Sequence, residues 1–127
     1  MPVTPSTDPA GRFAIVTVTD PYTFEEWRTG VLTAAEEVTY RDLRRILIDR
    51  RRAAPPTTAF VDLMIRFASE HAADVGSTRA AVVVADSAGF GMARMAELKA
   101  SGSIPEASIM VFREYDAAID WLVADRT

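Results

Sequence analysis

The stretch richest in chemical options is ADSAGFGMARM, residues 85–95, directly after the apolar run AAVVV at 80–84. A serine between aspartate and alanine-glycine, then a second glycine, fits three roles: a phosphate-cradling loop, a phosphorylatable hydroxyl, or the start of a helix. The phosphate reading meets a spacing problem. A dinucleotide fingerprint needs a third small residue at position 94, where Arg94 stands. A P-loop needs Gly-Lys-Ser/Thr, and the only lysine is Lys99. The helix-start reading needs nothing further, because Asp and Ser are preferred caps and the glycines allow close packing. Asp86 or Ser87 is then the cap. Lining of a pocket by Asp86, Ser87, Gly89, Phe90 and Met92 is the alternative.

Other chemistries find fewer parts. The single histidine, His71, lies on the apolar stripe of an expected helix with no nucleophile beside it in sequence. Without cysteines there is no disulfide, thiolate catalysis or cysteine zinc site, and no His or carboxylate cluster suits another metal. No catalytic residue, metal or cofactor is therefore expected. Asp20, Asp49 and Asp86 each follow an expected strand. A receiver-type phosphoacceptor pocket would need an acidic pair after the first strand and a late lysine, and neither is present. Turn-forming and capping roles suit these aspartates better. Arg41, Arg44, Arg45, Arg50, Arg51 and Arg52 form the one strong local charge feature. One reading makes it a solvated loop. The sharper one has Arg50 facing the crevice at the strand ends and binding an anionic group.

These residues need a scaffold, and the pattern supplies one. Residues 12–19, RFAIVTVT, alternate with β-branched dominance and predict a strand, with 3–6 as a short antiparallel partner. Thr23 and Glu26 form a capping box ahead of Phe24, Trp27, Val31, Ala35 and Val38 at helical spacing, with Gly30 inside the stripe. RRILID at 44–49 predicts a strand stopped by RRAAPP. Thr57 or Thr58 then caps a helix carrying Phe60, Leu63, Met64, Phe67 and His71 on one face. AAVVVA at 80–85 is the most apolar strand and the expected centre of the sheet. A helix from about 87 to 100, the strand SIMVF at 108–112 and a closing helix with Tyr115, Ile119 and Leu122 inward complete the chain. Strands separated by helices pair in parallel through right-handed crossovers. The expectation is α/β: a single layer of four or five strands, mixed but mostly parallel, with about four helices.

A chain of 127 residues is one domain, spanning 1–127, and at this size it buries about two-thirds of its unfolded surface without a staple. Apolar residues make up 49%, but no run approaches the roughly 18 residues of a membrane span. The first residues, MPVTPSTDPAGR, lack the features of a signal peptide. A net charge of −4 argues against general nucleic-acid binding. A protein free of cysteine fits a reducing cytoplasm, which is the expected location.

The second half resembles the STAS-type family, small bacterial proteins similar to the sporulation anti-sigma-factor antagonist and grouped with CRAL-TRIO lipid carriers. The resembling residues are AVVVADSAGFGMARMAEL (81–98) and IMVFREYDAAIDWL (109–122). The resemblance implies a four- or five-stranded mixed sheet and no catalysis. In true antagonists an Asp-Ser-Ser-Gly motif opens the helix after the strand matching RRILID. That places Thr57 and Thr58 as the hydroxyls for a switch, while Asp86-Ser87-Ala88-Gly89 falls one strand–helix unit too late. Two functions follow. The first is binding of a small anionic or amphipathic molecule, lipid- or nucleotide-like, between Asp49-Arg50 and Asp86-Ser87 and against Phe90 and Met92. The second is a protein-interaction module, a homodimer or a partner of a regulatory protein, with Thr57 and Thr58 as its switch.

Overall fold

A computed structural model describes residues 2–40, 45–70, 79–86, 90–91, 94–95 and 108–124. The chain begins with a hairpin. Strand β1 (Val3–Thr7) pairs antiparallel with β2 (Ala14–Thr19), in register from Val3↔Val18 to Thr7↔Ala14. The connection is a tight turn. Gly11 takes φ 71°, a left-handed conformation that glycine adopts without strain, and its amide donates to the Asp8 carbonyl. The Asp8 carboxylate meanwhile accepts from the Arg12 backbone N–H, Nε and Nη2.

Helix α1 (Phe24–Tyr40) opens with the expected capping box: Glu26 N–H donates to Thr23 Oγ1, and Thr23 N–H donates to Glu26 Oε1. It delivers the chain to β3 (Arg45–Arg52), which pairs parallel with β2. Helix α2 (Thr58–Glu70) leads to β4 (Arg79–Val83), parallel to β3, and β5 (Ser108–Phe112) pairs parallel with β4. Helix α3 (Tyr115–Val123) closes the molecule. The sheet is mixed, in the order β1-β2-β3-β4-β5, with one antiparallel and three parallel pairings.

Alternation along the strands divides the core in two. One face carries Val3, Ala14, Val16, Val18 and Ile46, packed against Ala34 of α1. Helix α2 joins α1 on this side through Trp27, Val31 and Phe67. The opposite face carries Phe13, Leu47, Ala81 and Val83 under Ala118 and Leu122 of α3. Phe13, Leu47 and Leu122 are fully buried, each stabilising the fold by about 1.5–3 kcal/mol through removal from water. Gly30 marks the closest approach of α1 to the sheet, where a methyl group would overlap Val3 Cγ1.

Several expectations are corrected. The central strand is β3; the more apolar β4 stands fourth of five. Strand β3 runs on through Arg50, Arg51 and Arg52 and stops at Ala53, before the prolines. On α2 the buried residues are Val61 and Phe67, whereas Leu63 is exposed. Three regular helices are present among the described residues, against the four expected. The anticipated helix at 87–100 falls largely outside the described residues, as does His71, although residues 90–91 and 94–95 are helical.

Candidate functional site

The parallel strands direct their carboxyl ends toward one rim of the sheet, where α/β proteins place ligands. Three features converge there. After β2 comes Asp20, joined by a cis peptide to Pro21 and followed by Tyr22. At the end of β3 the register slips: Thr17 faces Asp49 but Thr19 faces Arg52, so β3 carries one extra residue. Such bulges re-aim side chains near functional sites. Beyond it lies the segment 53–57, leading to α2.

Strand alternation sends Arg50 and its neighbours to different sides. Arg50 turns to the face of α1 and α2 and is buried, at 7% exposure. Its Nη2 donates to Tyr22 Oη at 2.7 Å and to the Ala54 carbonyl at 3.1 Å. The guanidinium carbon stands 5.4 Å from the Tyr22 ring centroid. Its Nη1 is buried and has no hydrogen-bond partner among the described residues. No carboxylate among the described residues forms an ion pair with it. Asp20 acts one step back: its carboxylate accepts from the Ala54 N–H and so fixes the peptide segment whose carbonyl takes Arg50. Tyr22 is held in turn by Phe60 of α2, edge-on at 5.4 Å between centroids.

A buried cation with neutral partners and an unused donor is an unusual arrangement. Burying an unpaired polar group costs about 1–3 kcal/mol, and more when it is charged. An anion placed at Nη1 would relieve that cost. On the same face of the sheet, Ile48 and its register partner Val82 are only half-buried although both belong to inner strands.

Asp49, adjacent in sequence, lies on the other face, since successive strand residues alternate. Arg51 neutralises it there, donating from Nε at 3.0 Å, Nη2 at 2.8 Å and the backbone N–H at 3.1 Å. Burial pushes the Asp49 carboxyl up, but the Arg51 hydrogen bonds and charge together hold it below its usual value. The Arg51 guanidinium also covers the Tyr115 ring at 4.5 Å. Burial, reinforced by the Asp49 charge, raises the Tyr115 phenol. Asp49 and Arg50 therefore do not share a site.

Of the second strand end, Asp86 is exposed and its carbonyl accepts from the Phe90 N–H at 2.9 Å. Residue 90 is helical. Phe90 is half-buried; Ser87, Gly89 and Met92 lie outside the described residues. Thr57 is the cap of α2, its Oγ1 accepting from the Phe60 N–H at 3.1 Å, and Thr58 is exposed at the first helical position. Sequence reading missed Tyr22 and Ala54. The signal for Tyr22 was its place directly after a strand, on the same rim as Arg50.

Among the described residues no cluster of three or more His, Cys, Asp or Glu could hold a metal, and no helix is long and apolar enough to cross a membrane. Comparison of the chain with protein-family models, with curated proteins and with solved structures found no match.

Proposed function

We propose that the protein is a non-catalytic, STAS-like binding domain that holds a small amphipathic anion at the carboxyl ends of its strands. The observation that carries this reading is Arg50, buried with Nη1 unpaired and without a carboxylate partner among the described residues. The half-buried Ile48 and Val82 support an apolar body on the ligand, and Phe90 stands at the next strand end in the same rim. Asp49 drops out of the binding set because Arg51 already occupies it. Native mass spectrometry of protein purified without added ligand, beside a denaturing spectrum, tests the reading. A small molecule lost on denaturation is expected with the wild type and not with R50A; equal retention by R50A would remove Arg50 from the site.

An interaction module is the second reading, and one observation favours it. Met110, 38% exposed, lies on the edge strand β5, where outward backbone groups can accept a partner strand. A bare chain running as a discrete dimer in the same spectrum would shift the assignment to this module. A covalent mass increment on Thr57 or Thr58 would add the hydroxyl switch.

A further inference from the structure

We infer that Tyr22 is the second half of the anion site and selects its ligand, an inference that rests on the binding role of Arg50 proposed above. The phenol oxygen accepts from Arg50 Nη2, so it serves as acceptor in that bond and retains its own proton. That proton is donated to no acceptor among the described residues. Two unused donors are thus tied together through one guanidinium: the Tyr22 O–H and Arg50 Nη1–H. Paired donors of this kind match two oxygens of a single carboxylate or phosphate head, which accepts hydrogen bonds from both. A neutral hydroxyl head would leave the cation uncompensated.

The arrangement is held from behind. Asp20 anchors Ala54, the Ala54 carbonyl fixes Nη2, and the remaining Nη1 is left for the ligand. Asp20 is a positioning residue, because it touches neither donor. Nη1 is out of contact with solvent, so an anion reaches it only when the atoms that cover it move. Phe60, half-buried, packs edge-on against Tyr22 and holds its ring.

The test is isothermal titration of the wild type, Y22F, R50A, R50K and D20N with laurate, dodecyl phosphate, inorganic phosphate and dodecanol. Wild type should bind laurate or dodecyl phosphate, and whichever binds tighter identifies a carboxylate or a phosphate head. Dodecanol should not bind. Inorganic phosphate bound as tightly as dodecyl phosphate would assign the affinity to the head alone. Y22F keeps the ring that packs on Phe60 and should lose about tenfold in affinity, the loss expected for one hydrogen bond to a charged group. R50A should abolish binding, and R50K should retain a weakened fraction because its point charge lacks the fork. D20N should weaken binding less than Y22F while leaving the preference among heads unchanged. Circular dichroism of each variant without probe separates lost binding from lost fold. If R50A loses binding while a folded Y22F binds as wild type does, the role of Tyr22 is wrong and the anion-binding reading stands. If wild type takes none of the probes, both are overturned.

Discussion

At the residue scale the molecule handles its buried charges in two ways. Asp8 and Asp49 are each matched by an arginine a few residues away, whereas Arg50 is left with neutral partners. Hydrogen bonds from the Arg12 side chain hold the Asp8 carboxyl below its ordinary value despite its burial. A carboxyl depressed on folding contributes stability above its unfolded pKa of about 3.9, and that contribution is lost as pH falls through the folded value. The protein should therefore lose stability as pH drops below about 4, read as a falling urea midpoint. D8N should be less stable than wild type at pH 7 and converge with it once pH falls through the depressed native value, since a neutral amide cannot serve as the charged acceptor for Arg12. Parallel curves at all pH values would show that Asp8 does not carry the acid dependence.

At the element scale, local signals and tertiary contacts can be set against each other. Ala is a better helix former than Gly by about 1 kcal/mol, so G30A should stabilise an isolated α1. In the protein the added methyl overlaps Val3, and overpacking costs about 1–3 kcal/mol. G30A is expected to be net destabilising, and a second change, V3A, should recover part of the loss; stabilisation by G30A alone would mean that β1 moves freely. T57A removes the cap of α2 and should destabilise by about 1 kcal/mol in denaturant melts. At the other end of the fold, Arg79 Nη1 donates to the carbonyls of Leu122 at 3.1 Å and Ala124 at 2.8 Å, closing α3 with a cation where the helix dipole is negative. R79M keeps much of the aliphatic stem and should lose about 1 kcal/mol or more in the same assay.

The whole molecule shows what the sequence could and could not reveal. Capping at Thr23–Glu26, the boundaries of SIMVF and the antiparallel first hairpin were all legible, because each depends on residues within a few positions of one another. The rank of β4 in the sheet was not legible, since strand order depends on crossovers between distant segments. The site was half legible. Arg50 stood out by its charge and its place at a strand end, but strand alternation decided that Asp49 lies on the other face. Tyr22 was marked only by its place after a strand, because the folded geometry alone brings it within 2.7 Å of a residue 28 positions away. Leu122 tests the integrity of the far face: L122A should cost about 2–5 kcal/mol, a large share of the total stability of such a domain.

The strand order has one more consequence. Since β1 to β5 lie side by side in the order in which they are written, no strand has to slide between two that are already paired. Each newly made segment meets the exposed border of what came before. A ribosome thus presents the strands in their spatial order, and closure of each loop spans one helix at most among the described connections. The contacts that join Tyr22, Arg50 and Ala54 need only the segments that follow β2 and end β3, and no residue of β4 or β5 takes part in them.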